Sequence, residues 1–515
     1  MYLRLLITLA PLKNQFAHSG ENHLSGDWIV DGLLGHLDRH KLAQPLHRQL
    51  YAWLREAIRS GRLAGGTAVP PSRRLAETLQ LGRNTVLAAY EQLLAEGYLV
   101  TRQGAGTFVA DLFTKTVPSD AAQPASRVGL SSRGQALASR ANLPQGLTGA
   151  FAPGVPEIQR FPHTVWQTLL HRHRRTALEA WHAYTAEGGL PALREALCEY
   201  LFLSRGVRTT PERVLIVQGA QQGLDLAARL LADAGDPVWM EDPGYAGAHA
   251  AFAGAGLNLV PVAVDEQGLN PAAAPAGPTP RLIYLTPSHQ YPTGVVMPLA
   301  RRLALLDYAR THGCWLIEDD YDSEFRYASA PLTSLQGLAE DGPVIYVGTF
   351  SKVMFPALRL GYMVLPEGLV AAFRSCNMRF YRESDYAVQA ALAAFITQGH
   401  LARHVRRMRE LYPIRQGLLR EVLQRRLGDA LVLSSGEAGL HLLAHLPQGV
   451  DERALSAAGA AQRLWLRPLG RHRLGEASGA GLVLGYAGVE ERALHTAAHV
   501  LADLLEDALD PPNPV

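Results

Sequence analysis

Apolar residues recur at Leu46, Leu50, Trp53, Leu54, Ala57 and Ile58, the spacing of a helix with one buried stripe, and Gly61 ends it. A shorter helix is expected after Pro70-Pro71, with Ser72 as its N-cap. Leu81-Gly82 then turns the chain into a third helix, whose inner face is Val86, Ala89, Tyr90, Leu93 and Leu94. After Gly97 the period drops to two. Tyr98 to Arg102 and Gly106 to Ala110 alternate as strands of a hairpin around Gln103-Gly104-Ala105.

Further on the pattern changes. Val214 to Val217, Val238 to Met240, Arg281 to Leu285, Cys314 to Ile317 and Val344 to Val347 are short, nearly continuous apolar runs. Such runs fit strands buried on both faces of a parallel sheet, and one covering helix runs from the Gln218-Gly219-Ala220 turn through Leu224 and Leu230. The fold class expected is therefore α/β, with a mainly parallel sheet. Asp111 to about Ala150 is rich in Ser, Ala, Pro, Gln and Arg and has no sustained period, so it reads as a flexible connector. Pro271 to Pro280 reads as an exposed loop. The expected layout is an unassigned arm over residues 1–40, a small helical module over 41–110, a linker over 111–150 and a large second domain over 151–515.

A chain of 515 residues exceeds what one core usually supports, and 48% hydrophobic content is ample for a large buried sheet. The net charge is only +2, yet seven arginines and two acids lie between Arg48 and Arg83. That concentration is the footprint of phosphate contacts, so DNA is the expected partner of the small module. Arg83, Asn84 and Thr85 begin its third helix and can reach base edges, while Ser72, Arg73, Arg102 and the Gly104 amide can hold the backbone. Cys198, Cys314 and Cys376 show neither metal spacing nor pairing, which points to a reduced, cytoplasmic protein without a metal site, and Cys314 is expected in the core. The apolar start, Met1 to Ala10, is too short to span a membrane.

Two charged stretches follow apolar runs directly. Glu318-Asp319-Asp320-Tyr321 follows one, and Gly348-Thr349-Phe350-Ser351-Lys352 follows another. Both should sit at the carboxyl ends of parallel strands, where open α/β sheets place ligands. An acid and an amine meeting there suit pyridoxal 5'-phosphate. Lys352 can condense with its aldehyde, and Asp319 can keep its ring nitrogen protonated. The turn before Ala220 offers helix-terminal amides to a phosphate. Tyr245, after Glu241-Asp242-Pro243-Gly244, can lie against the ring, and Thr349, Ser351 and Arg359 supply hydroxyls and a guanidinium.

From about Phe151 onward the chain resembles fold type I aminotransferases, in Ala220-Gln221-Gln222, Asp242-Pro243-Gly244-Tyr245, Tyr291-Pro292-Thr293-Gly294, Asp319 to Tyr321, and Ser351-Lys352 with Arg359-Leu360-Gly361. The resemblance implies Lys352 as the Schiff-base lysine, Asp319 on the pyridine nitrogen, Tyr321 on the phenolic oxygen and Tyr245 on the ring. It also implies Ala220, Gln221, Thr349, Ser351 and Arg359 around the phosphate. Two departures stand out. Tyr291 occupies the place of an asparagine, and Leu484 that of a carboxylate-binding arginine. Arg467 and Arg471 are the nearest replacement clamps; Arg471 is favoured, against the competing reading of a surface turn.

Pro45 to Ala110 is similar to the winged helix of GntR-type regulators, in Pro71-Ser72-Arg73, Asn84-Thr85-Val86 and Gly104-Ala105-Gly106-Thr107-Phe108-Val109. Its union with an aminotransferase-like domain resembles the MocR regulators. That family implies a winged helix-turn-helix, a fold type I domain binding pyridoxal phosphate, a head-to-tail homodimer and an operator DNA. The function implied is transcriptional control by sensing the cofactor or an amino compound. A working aminotransferase with a fused DNA-binding domain is the alternative.

Overall fold

The structure, a computed structural model, describes residues 37, 44–111, 129–140, 149–177, 181, 187–327, 332–339, 341–383, 385–475 and 479–509. Except for Leu37, the arm over residues 1–40 lies outside them, as do 112–128 and 141–148 of the expected linker. The chain divides into two compact units between Gly129 and Leu130.

In the first unit the helix Leu46–Arg59 buries Leu50, Trp53, Leu54, Ala57 and Ile58. Ser72–Leu79 and Arg83–Ala95 follow as a helix-turn-helix. Gln80 closes the first of these in the left-handed conformation, and Gly82 starts the second. Val86, Ala89, Tyr90 and Leu93 fill the core, with Leu94 packed against it. Ser72 is not the N-cap. Pro71 holds that position and no side chain caps the helix, because the proline ring fixes φ at −54° and lets the first turn begin at Ser72 itself. The wing is β2 (Leu99–Arg102) and β3 (Gly106–Val109), paired antiparallel. A two-residue strand β1 (Ala68–Val69), too short to show a period, pairs with the other side of β3.

The second unit carries an eight-stranded sheet in the order β4-β11-β10-β9-β8-β5-β6-β7. Its strands are β4 (Val214–Val217), β5 (Pro237–Asp242), β6 (Asn258–Asp265), β7 (Gly268–Leu269), β8 (Leu282–Leu285), β9 (Trp315–Asp320), β10 (Val344–Thr349) and β11 (Gly361–Val364). Strands β6, β5, β8, β9 and β10 run parallel, and β11 is antiparallel to both β10 and β4. Hence β4, β5, β8, β9 and β10 finish at one edge of the sheet, where β11 begins. Alternate residues feed two different cores: Ile216, Tyr346 and Tyr362 enter one, while Leu215, Val217, Ile345, Val347 and Met363 enter the other. This is the two-sided burial that the apolar runs implied. A smaller antiparallel sheet joins β12 (Val432–Leu433), β13 (His441–His445), β15 (Gly481–Gly485) and β14 (Arg467–Pro468) in that order.

The linker expectation needs correction within this unit. Ser132–Arg140 is a helix that packs against Ala246–Ala255, with the Gly134 amide donating to Ser131 Oγ at 3.0 Å. The second unit therefore starts at Leu130. Leu137 is the sole large apolar residue of the helix, so no stripe reveals it. Cys314 is buried as expected.

Candidate functional site

Lys352 follows the end of β10 by three residues, and its Nζ donates to the Gly154 carbonyl at 2.9 Å. Gly154 has φ +70°, and a Cβ there would lie 2.6 Å from Nζ, so a side chain would displace the amine. Burial lowers the Lys352 pKa; the charges of Asp322 and Asp319 oppose that shift and Arg467 reinforces it. A lowered pKa raises the share of nucleophilic free amine.

Asp319, on β9, is 4% exposed. The Tyr284 hydroxyl donates to its Oδ2 at 2.8 Å, while Oδ1 is buried without a hydrogen-bond partner among the described residues. Burial pushes its carboxyl up to about 7, against the Tyr284 hydrogen bond. A buried acceptor left unsatisfied costs free energy, and a cationic ring N–H is the donor that this oxygen lacks. These residues therefore fit a pyridinium.

A phosphate cradle lies at the same edge. The helix Ala220–Leu231 starts after β4 with Gly219 at φ 87° and no side-chain cap, so the first-turn amides, those of Ala220 and Gln221 among them, remain for an anion. The Gln221 side chain is committed elsewhere, donating to the Gly247 carbonyl at 2.8 Å. The Arg359 guanidinium lies against Gly219, where a Cβ would meet it at 3.8 Å. Thr349 is buried, and its Oγ1 accepts from the Ser351 amide at 3.2 Å. Tyr245 is half-buried, its phenol pushed up to about 12 by burial.

Tyr321 stands 3.0 Å from His289 Nδ1, which also lies 3.0 and 3.1 Å from the two oxygens of Asp322. Tyr291, in the place of the usual asparagine, puts its ring edge-on to Tyr245, Tyr321, His441 and His472 at centroid distances of 5.0 to 5.9 Å. His289, Asp322, His441, Tyr284 and Gly154 were given no role from the sequence: Tyr284 and His289 share one segment and Asp322 directly follows Tyr321, but Gly154 and His441 reach the site from distant parts of the chain. Leu484 is wholly buried in the core of the small sheet and its neighbours, so it does not face a ligand.

The clamp favoured from sequence, Arg471, is exposed in the short turn Leu469–His472. Arg467 lies near enough to the site for its charge to oppose the upward shift of the Tyr291 phenol and to lower the Lys352 amine. The reason is register. Arg467 lies on β14 opposite Val483 of β15, which holds it at the sheet end, whereas Arg471 comes after the strand has ended.

In the first unit, Arg73, Arg83, Asn84, Arg102 and Gly104 are exposed, and Ser72 and Thr85 are half-buried. Arg83, Asn84 and Thr85 open the second helix of the helix-turn-helix. Arg102 is partly engaged, 3.3 Å from Asp111 and 4.6 Å above the Phe108 ring. Arg55 and Arg62 are also held locally, by Tyr51 and by Ser60 with Trp53, so not all seven arginines are equally available to DNA.

Residues 46–109 match the bacterial regulatory proteins of the gntR family, and residues 159–470 match aminotransferase class I and II. The chain is 42% identical over 459 residues to the probable rhizopine catabolism regulatory protein MocR of Rhizobium meliloti, covering 87% of this chain and 92% of that one. It is 32% identical to the pyridoxine biosynthesis transcriptional regulator PdxR of Corynebacterium glutamicum, covering 88% and 95%. Among solved structures it resembles LysN, an α-aminoadipate aminotransferase of Thermus thermophilus complexed with N-(5'-phosphopyridoxyl)-L-leucine, at 28% identity and TM-score 0.65, covering 73% of this chain and 97% of that one. Pyridoxal phosphate is the cofactor of this fold, and the chemistry of Lys352 and of Asp319, with its unpartnered oxygen, fits that group. With a GntR helix-turn-helix ahead of an aminotransferase sheet and likeness to such a regulator over 92% of its length, the chain belongs to the MocR-type transcriptional regulators.

Proposed function

We propose that this protein is a DNA-binding transcriptional regulator whose aminotransferase-like unit senses pyridoxal phosphate or an amino compound at Lys352. The bound cofactor would supply an aldehyde for amines and an electron-accepting ring. Lys352 holds it, Asp319 keeps the ring nitrogen charged, and Ala220, Gln221, Thr349, Ser351 and Arg359 bind the phosphate. Tyr245 covers the ring. Arg83, Asn84 and Thr85 read operator bases, while Ser72, Arg73, Arg102 and the Gly104 amide fix the backbone. The observation that carries the sensing reading is the unpartnered Oδ1 of Asp319, a buried acceptor in the same site as the Lys352 amine. The test is to measure DNA affinity with and without pyridoxal phosphate and a panel of amines. No change in any case defeats the reading.

Arg467 narrows the ligand class. A guanidinium whose charge acts on both Lys352 and Tyr291 favours an amine that also carries a carboxylate. It equally supports the second reading, an active aminotransferase, which sustained keto-acid production would establish. The protein works as a homodimer in the cytoplasm. Phe202 and Leu203, 53% and 74% exposed on adjacent positions of one helix, support a partner surface. Among the described residues no helix is long and apolar enough to cross a membrane.

A further inference from the structure

Tyr321, which the resemblance sets on the phenolic oxygen, is joined to Asp322 and His289, two residues given no role above. Asp322 is 1% exposed and His289 is 3% exposed. Both oxygens of Asp322 stand within 3.1 Å of His289 Nδ1, and the same nitrogen stands 3.0 Å from the Tyr321 hydroxyl. One ring nitrogen cannot donate to a carboxylate and accept from a phenol at once. A carboxylate has acceptor sites only, so the nitrogen that faces it carries the hydrogen. That N–H is then shared between Asp322 and the Tyr321 oxygen, and the Tyr321 proton must point away from His289.

We propose that Asp322 and His289 are positioning residues that fix the tautomer of His289 and thereby aim the Tyr321 O–H at the cofactor's phenolic oxygen. This rests on the cofactor reading above. Tyr321 keeps a proton to donate, because burial first, and then the negative charge of Asp322, raises its pKa. The surrounding groups leave the assignment intact. His441, whose ring centroid is 5.1 Å from that of His289, is held neutral by burial, and its Nε2 faces the Pro292 carbonyl at 3.2 Å. Tyr291 lies edge-on to Tyr321 and makes no hydrogen bond to it. Gly439 packs against His289, and a Cβ there would fall 1.9 Å from Cε1, so glycine at 439 is what leaves room for the ring in this position. The relay works by denying Tyr321 the His289 nitrogen as an acceptor, its hydrogen-bond partner among the described residues.

The decisive variant is Asp322→Asn. An asparagine can turn away and no longer compels Nδ1 to carry the hydrogen; with the hydrogen on Nε2, the single lone pair of Nδ1 is open to the Tyr321 proton. The readout is the pH midpoint of the visible absorbance change of protein reconstituted with pyridoxal phosphate, after dialysis against EDTA. Asp319, Asp322, Arg467 and Tyr245 also face this region, so Tyr321→Phe sets the reference for loss of the one hydrogen bond. Tyr321→Phe should raise the midpoint by about one pH unit, the size of one hydrogen bond to a charged group. Asp322→Asn should raise it similarly with its melting temperature kept, and Asp322→Asn/Tyr321→Phe should rise no further than Tyr321→Phe alone.

An unshifted midpoint in Asp322→Asn, or fully additive shifts in the double variant, would overturn the relay. So would a stoichiometric divalent metal that EDTA removes with a change in the band, because His289, Asp322 and His441 place ligand atoms within 4.8 Å of one another and a metal would then set the tautomer. If Asp322→Asn melts early, Asp322→Ala replaces it: with no carboxylate facing it, Nδ1 can accept from Tyr321, and the same midpoint rise is expected. A wild-type protein with no visible band refutes the cofactor reading, which is a different outcome from a band that Asp322→Asn leaves unmoved.

Discussion

Tyr284 and Asp319 are joined by a hydrogen bond of 2.8 Å between adjacent parallel strands, and it satisfies only one of the two carboxylate oxygens. The remaining oxygen faces the site with its carboxyl raised to about 7 by burial. In Asp319→Asn the cofactor should still attach to Lys352, while the response to amines falls, since the ring nitrogen loses the anion that keeps it charged. Amine titrations followed by absorbance check this; an unchanged response would mean that Asp319 is not the ring partner.

The same residue predicts a pH dependence in the cofactor-free protein. Its folded pKa of about 7 lies above the unfolded carboxylate value of about 4, so between those values the folded state holds more protons. Its stabilising contribution is therefore complete at low pH and is lost as pH rises toward 7. The slope from one such group approaches about 1.4 kcal/mol per pH unit. Glu241 and Glu318, also raised by burial to about 7, add slopes of the same sign. Thermal melts from about pH 5 to 7 should fall less steeply in Asp319→Asn than in wild type; equal slopes would contradict the buried protonation.

Lys352→Ala should bind pyridoxal phosphate weakly and leave none attached after borohydride reduction, whereas wild type should retain it covalently. Mass spectrometry of the reduced proteins decides. A wild-type chain without the added mass would remove Lys352 from its role.

Arg467→Ala should weaken the response to amino acids roughly 10- to 150-fold, the range for one hydrogen bond to a charged group, and spare amines without a carboxylate. Arg471→Ala should change neither. Equal losses on both ligand classes would mean that Arg467 does not clamp the carboxylate.

Arg83→Ala should cost about 1 to 3 kcal/mol on a specific site and relax base preference, while Arg73→Ala should weaken all sequences and flatten the salt dependence. Binding to specific and random duplexes at several salt concentrations separates the two. Parallel losses on both duplexes for Arg83→Ala would remove it from base readout.

Lys352 and Asp319 were legible in the sequence because each follows an apolar run too short for anything but a buried strand, and strand ends share an edge. The helix-turn-helix was legible because Leu50, Trp53, Leu54 and Val86, Ala89, Tyr90 keep one period each. Contacts across long separations were not. Gly154 meets Lys352 from 198 residues away, and nothing local to Gly154 announces it. The choice between Arg467 and Arg471 depended on where β14 ends, and strand β1 and the helix Ser132–Arg140 lack the apolar repeats that betray an element.

The central claim is that ligand at Lys352 and DNA at Arg83 are energetically linked. The direct measurement is pyridoxal phosphate affinity, with and without amino acid, in the absence and presence of a duplex selected from a random pool by the wild-type protein. Linkage of the usual size predicts that the duplex shifts ligand affinity about 5- to 150-fold, and that ligand shifts duplex affinity by the same factor. Identical affinities with and without the duplex would contradict it.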